Sequence, residues 1–310
     1  MSIPSIFLDC DPGHDDFMAI LVAARHCNLI GITTVAGNAP LAETTTNALI
    51  AKQLFGLDVP VHSGAERPLL ETPAFAADIH GSSGLAGPTL PELTVAVDGT
   101  DAVGYLLQAT REHPGAWLVP TGPLTNIALA LRSDHTLVDR IAGISLMGGG
   151  TTFGNRTATA EFNIFADPEA AAITFDCGAP LIMCGLNLTH QFLWGTDDEA
   201  TVRALGGVRS EFVADLIHHF ATAYNEVYFD MGHGGPLHDP CAVLALTHPE
   251  LFRFQDRHVV VETRGQHTRG MTVVDQRSTT WVKPPNARVA DTIDASAARA
   301  VMHATIADLC

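Results

Sequence analysis

Four carboxylates fall within eight residues near the start of the chain, in Asp9-Cys10-Asp11-Pro12-Gly13-His14-Asp15-Asp16. Their mutual repulsion calls for a physical reason. Asp15 and Asp16 occupy the first turn of the helix expected to follow, where free backbone amides and the helix dipole favour anions. Helix capping accounts for those two. It does not account for Asp9 and Asp11, which alternate at the end of the preceding strand. A hard cation such as Ca²⁺ or Mg²⁺, held by carboxylate oxygens, removes the repulsion.

Other segments offer matching chemistry. Gly37-Asn38 follows one apolar run, and Pro120-Thr121-Gly122-Pro123 follows another, with backbone carbonyls suited to a hard cation. Met147-Gly148-Gly149-Gly150 leads to Glu161-Phe162-Asn163, whose side chains suit a polyhydroxylated ligand. His238-Asp239 sets a further carboxylate beside a candidate general acid. Taken singly, Asn38, Glu161 and His238 are as well explained as caps or loop residues; what they share is a position after a strand.

The elements needed to bring these residues together are legible as alternating β-rich apolar runs and helical stretches, the pattern of a mainly parallel sheet covered on both faces. Strands are expected at 3–9, 29–36, 117–120, 141–147 and 180–184, with helices at 14–25, 41–54, 124–131 and 168–175. Beyond residue 195 the order changes. Helices are expected at 197–205, 211–228 and 240–246, an antiparallel pair at 258–263 and 271–275, and a closing helix at 295–309. The expected architecture is one α/β domain over residues 1–310, an open, mainly parallel sheet flanked by helices with a small antiparallel addition near the C-terminus. In such a sheet ligands bind beyond the carboxyl ends of the strands. Two Gly- and Pro-rich segments, 63–95 and 229–238, resist assignment and are expected to act as lids.

Composition narrows the function. The net charge of −17 argues against nucleic-acid or anionic-membrane partners, which require clustered Lys and Arg. The six cysteines (10, 27, 177, 184, 241 and 310) show no CxxC pair or zinc spacing, as expected of a reduced cytoplasmic protein. No secretory leader is expected from the N-terminal residues, and no apolar run approaches the roughly 18 residues of a membrane span. The run after the first strand lacks the G-x-G-x-x-G of a dinucleotide site, and Gly148-Gly149-Gly150 lacks the Lys of a P-loop. There is no G-x-S-x-G elbow and no HExxH. Asp9-x-Asp11 also resembles the haloacid dehalogenase-like phosphatases, but that pattern continues with Thr where this chain has Gly13.

Taken together, the segments resemble a known family. The run from Asp9 to Asp16 is similar to the signature of the inosine-uridine-preferring nucleoside hydrolases. Thr33-Thr34-Val35-Ala36-Gly37-Asn38, Val119 to Asn126, Leu146 to Gly150, Ala160 to Asn163 and His238-Asp239-Pro240 follow in that family's order. The resemblance implies calcium-dependent hydrolysis of ribonucleosides to free base and ribose, with pyrimidine nucleosides or inosine as substrates. It implies Asp11, Asp16, the Thr121 carbonyl and Asp239 as Ca²⁺ ligands, Asp11 as general base, and Asp9 in support. Asp15, Asn38, Asn163 and Glu161 would hold the ribose, Met147 would line its pocket, and His80 would stand near the base. Asn155 and Asn187 would add to the pocket. His238 would be the acid that protonates the leaving base; purine-specific relatives lack this histidine. The resemblance also implies a homodimer or homotetramer.

The departures lie where base preference is set. The loop 150–156 lacks the Tyr-His pair that some relatives carry. Tyr224 and Tyr228, four apart, share a helix face, which serves either to line the base pocket or to pack the helix. A nucleoside-binding protein on an inactive scaffold is the non-enzymatic alternative.

Overall fold

Ile6, Leu8 and Cys10 pack into one apolar core, and Phe7 packs into another. That alternation defines the architecture: the first strand is covered on both faces, so successive side chains enter different cores. The computed structural model describes residues 3–228, 234–279 and 283–310.

The strands are β1 (Ser5–Cys10), β2 (Asn28–Thr34), β3 (Val61–Ser63), β4 (Trp117–Pro120), β5 (Gly143–Met147), β6 (Leu181–Cys184), β7 (Leu193–Trp194), β8 (Gly235–Pro236), β9 (Phe252–Val261), β10 (Thr272–Asp275) and β11 (Ala287–Ile293). Nine of them form one sheet in the order β10-β9-β11-β6-β5-β4-β1-β2-β3. The pairings from β3 to β11 are parallel, whereas β11–β9 and β9–β10 are antiparallel. On one face lie residues of the helices His14–His26, Leu41–Phe55, Val208–Val227, Pro240–Thr247 and Ala295–Leu309. Ala102–Glu112, Thr125–Ser133 and Pro168–Phe175 supply the other core.

The expected elements are present with ends shifted by a few residues, and the antiparallel pair is formed by β9 and β10. It continues the main sheet through β11, a strand that the sequence reading missed. Val289 pairs with Met183 of β6 on one side and Gln255 of β9 on the other. β9 also begins six residues before the expected strand, at Phe252. The helix Ala102–Glu112, capped by the Asp101 carboxylate accepting from Gly104 N at 2.8 Å, was likewise missed. Segment 63–95 holds one helical turn, Ala77–His80, and is otherwise irregular. Of the second expected lid, Phe229–His233 lies outside the described residues. Its continuation pairs with β7 through β8, and Leu237 N donates to Phe192 O at 2.9 Å, which brings His238 beside the segment after β6.

All six cysteines are free. No helix among the described residues is long and apolar enough to cross a membrane.

Candidate active site

The carboxylate run ends β1 and begins the next helix, and the fold gives each aspartate different surroundings. Asp9 keeps to the face of Phe7 and turns away from the cavity described below. Its Oδ1 accepts from Thr33 Oγ1 at 2.6 Å and Asn126 Nδ2 at 2.8 Å, while burial raises its pKa to about 7. Asp16 accepts from four donors. Thr121 Oγ1 and Asp11 N reach Oδ1 at 2.8 and 3.3 Å, and Asn38 Nδ2 and Gly13 N reach Oδ2 at 2.9 and 3.0 Å. The Gly13 bond is the backward arm of a helix-capping arrangement.

Asp11 differs. Its Oδ2 accepts from Asn38 N at 2.6 Å, but its Oδ1 is buried without a hydrogen-bond partner. Burial, followed by the charge of Asp16, holds this carboxyl well above the usual range. The backbone closes tightly around it: a Cβ at Gly37 would stand 2.1 Å from Oδ2, and one at Gly122 would stand 2.3 Å from Oδ1. Asp15, Asp16 and Asp239 bring oxygens within 4.8 Å of one another, all buried. Asp15 and Asp239 are both raised, first by burial and then by each other's or Asp16's charge. An orphaned carboxylate oxygen beside three crowded carboxylates fits a hard divalent cation. The close triple includes Asp15, which the resemblance assigned to ribose.

A cavity of about 530 Å³ opens over these groups at the carboxyl ends of the strands. Asp15, Asn38, Thr121, Met147, Glu161, Asn163 and Asp239 line it, as do His80, Asn155, Tyr224, Tyr228 and His238. Asp11 and Asp16 are fully buried and reach it only through the neighbours they bond. Asn163 Nδ2 donates to the Thr121 carbonyl at 2.6 Å and to Met147 O at 3.2 Å. Glu161 caps the short helix Phe162–Ala166, accepting from Asn163 N, Ile164 N and Gly149 N at 2.9 to 3.1 Å; burial nevertheless raises it to about 7.

The expectation for Asn187 is corrected. It does not line the cavity; its side chain braces the loop after β5, accepting from Thr151 N at 2.5 Å and donating to Thr152 Oγ1 at 2.6 Å. Tyr224 and Tyr228 both line the cavity, and Tyr224 also packs against Phe220. Tyr224 and Tyr228 stack at 5.2 Å, and Tyr228 donates to Asn155 O at 3.0 Å. The Tyr224 hydroxyl lies 2.7 Å from His238 Nε2, and the Thr189 hydroxyl lies 2.7 Å from His238 Nδ1. His238 is therefore gripped at both nitrogens, and burial holds it well below the usual histidine range.

Thr189 was missed, although it follows the end of β6 just as the chosen residues follow other strands. Asp78 and Arg156 were missed too. They pair at 3.5 Å across the cavity mouth, joining two loops that have no fixed spacing in sequence.

A family model described as inosine-uridine preferring nucleoside hydrolase matches residues 6–300. A pyrimidine-specific ribonucleoside hydrolase RihA of Shewanella oneidensis is 45% identical over 288 residues, 92% of this chain and 90% of its own. A protein of the same name from Escherichia coli O1:K1 is 43% identical, with 95% of each chain covered. Among solved structures, a purine-preferring ribonucleoside hydrolase from Gardnerella vaginalis superposes with a TM-score of 0.92 at 33% identity, covering 98% of each chain. The plant nucleoside hydrolase PpNRh1 gives 0.89 at 31%, covering 99% of each. The α/β sheet with a carboxylate-lined cavity at its strand ends is that of the nucleoside hydrolases, and this chain belongs to the inosine-uridine preferring nucleoside hydrolase family. Its activity is hydrolysis of ribonucleosides to base and ribose.

Proposed function

We propose that this hydrolase acts on pyrimidine ribonucleosides, with inosine a secondary substrate, and that its metal is Ca²⁺ held by Asp11, Asp16, the Thr121 carbonyl and Asp239. The observation that carries the metal assignment is the buried, unpartnered Asp11 Oδ1 beside three carboxylates crowded within 4.8 Å. Bound there, the cation would orient ribose hydroxyls and neutralise the crowded carboxylates.

The chain's own residues then divide the work. Asp15, Asn38 and Asn163 hold the ribose, with Glu161 toward its 5′ side and Met147 beneath it. Asp11, ionised in that environment, takes the proton from the attacking water. Cleavage builds positive charge on the ribose, and a wall of carboxylates stabilises it. The departing base needs a proton. With His238 Nε2–H donating to the Tyr224 oxygen and the Thr189 hydroxyl donating to Nδ1, the Tyr224 proton is free to go to the base. The histidine replaces it through Nε2 once a solvent proton has been taken up at Nδ1, so that the relay consumes one proton from solvent and leaves His238 neutral. His238 thus acts through Tyr224, not by direct contact.

Preference for pyrimidines is supported by the 45% identity to a protein named for that specificity, against 33% to one named for purines. Release of free base from uridine, cytidine, inosine and adenosine tests it: kcat/KM at least tenfold higher for a pyrimidine is expected, and a purine in first place overturns it. EGTA should abolish activity and Ca²⁺ restore it. Full turnover in the calcium-depleted enzyme would remove the metal assignment.

A further inference from the structure

The hairpin of β9 and β10 places no residue in the lining of the cavity, yet one of its side chains reaches the loop that follows β5. We propose that Thr272 is a positioning residue for the sugar end of the site: its hydroxyl fixes the Gly149–Gly150 backbone, and through the Gly149 amide it holds Glu161 against the 5′ end of the ribose. The inference rests on the ribonucleoside reading of the cavity and on the place given there to Glu161.

Thr272 opens β10 opposite Val261 of β9, and it is buried, whereas the next residue, Val273, is exposed. The alternation of the strand turns Thr272 inward. There its hydroxyl makes two bonds to one residue: Gly150 N donates to Oγ1 at 2.9 Å, and Oγ1 donates to Gly150 O at 2.7 Å. A hydroxyl has one proton to give and lone pairs to accept with, so both bonds form at once. Thr272 thereby satisfies both backbone groups of Gly150 as a neighbouring strand would, in a segment that belongs to no strand. Valine has the same shape and neither capacity.

The clasp is transmitted one residue back. Gly149 adopts a φ of +72°, and a Cβ there would stand 2.6 Å from Thr272 Cγ2. Its carbonyl accepts from Leu186 N at 2.9 Å, and its amide donates to Glu161 Oε2 at 2.9 Å. Pressed by Thr272 on one side and held at its carbonyl from the turn after β6, the glycine has a fixed amide direction. The Glu161 bonds from Asn163 N and Ile164 N come from the helix that it caps and move with that helix. The Gly149 amide ties the carboxylate to the end of β5. The hairpin also grips the capped helix: Thr159 Oγ1 donates to His267 O at 3.3 Å, and a Cβ at Gly270 would stand 3.0 Å from Phe165 Cα. One hairpin thus holds both segments that meet at Glu161. A carboxylate fixed in this way accepts from the 5′-hydroxyl without first having to be ordered.

Thr272→Val keeps the volume and removes both bonds, whereas Thr272→Ser keeps the hydroxyl. Kinetics on uridine and 5′-deoxyuridine read the consequence. The unsubstituted enzyme and Thr272→Ser should favour uridine by at least about tenfold in kcat/KM, the worth of one hydrogen bond. Thr272→Val should lose most of that preference, with kcat/KM for 5′-deoxyuridine nearly unchanged. A purely structural threonine would lower the urea midpoint and leave the preference intact, and that result overturns the proposal. Equal use of the two sugars by the unsubstituted enzyme would instead overturn the 5′ reading of Glu161, and the proposal falls with it. Hydrogen exchange of the segment 148–151, followed by mass spectrometry without substrate, reads the clasp itself. Slow exchange is expected in the unsubstituted enzyme, with an acceleration of about tenfold in Thr272→Val for the bonds lost. Exchange at the rate of an open loop in the unsubstituted enzyme overturns the proposal, whether or not Thr272→Val folds.

Discussion

Asp11 is surrounded so closely by Gly37, Gly122 and the Asn38 amide that only its Oδ1 is left for chemistry. Asp11→Asn, nearly isosteric, should keep the fold and lower kcat by at least about a hundredfold, the usual worth of a general base. Near-normal kcat with an unchanged circular dichroism spectrum would remove it from that role. The hydroxyl–imidazole–hydroxyl chain of Tyr224, His238 and Thr189 makes a different prediction. His238→Ala and Tyr224→Phe should each slow uridine hydrolysis, and the double variant should be little worse than either, since residues acting in series are not additive. p-Nitrophenyl riboside, whose leaving group needs no proton, should be spared by all three. Equal losses on both substrates would refute proton delivery. His238 was legible as a candidate acid from its type and place; its two hydroxyl partners come from helices that sequence does not register against one another.

Among the elements, the loops and the short helices around the cavity depend on a few carboxylates used as connectors. Asp167 caps the helix Pro168–Phe175 through Ala170 N at 3.0 Å and also accepts from Thr125 Oγ1 and Leu69 N at 2.7 and 2.9 Å. It therefore fastens the start of the 63–95 segment to two helices. Asp167→Ala should cost about 1 to 3 kcal/mol, seen as a lower urea midpoint at unchanged slope; an unaltered midpoint would show that the cap is dispensable. The elements missed in sequence share a cause. β11 carries Arg288 and Asp291 within seven residues and lacks a long apolar run, yet it is paired on both sides because neighbouring strands satisfy its backbone. Arg288 finds cover over the Phe254 ring at 4.5 Å, a contact that exists only once β9 and β11 are adjacent.

The pH response of the assembled protein follows from its buried acids. Burial raises Asp9 and Glu161 from ordinary values of 3.8 and 4.5 to about 7. The unfolded chain has lost these protons by about pH 5, whereas the folded chain keeps them until about 7, so stability is lost as pH rises through that range. The buried His14 and His190, lowered to about 3 and 4, act in the opposite sense but only below about 6.5, where the unfolded histidines take up protons. Burial raises Asp15 further, to about 8, so in EGTA the melting temperature should fall between pH 6.5 and 8, and Ca²⁺ should offset the fall. A melting temperature that rises across that interval would contradict the burial argument.

The chemistry of this protein was determined by its sequence alone, because carboxylates crowded at the end of a strand repel one another unless a cation or a positively charged substrate needs them. The parallel core was equally determined, because strands buried on both faces must be continuously apolar. The segments carrying Asn38, Thr121, Glu161 and His238 were readable for the same reason: each follows a strand whose carboxyl end opens on one crevice. What only the tertiary structure decided is which faces meet. It turned Asp9 away from the cavity and Asn187 into a brace, set Tyr224 against His238, and seated His80 on Gly13 and His14. Those outcomes depend on distances between segments tens of residues apart, and no local periodicity encodes them.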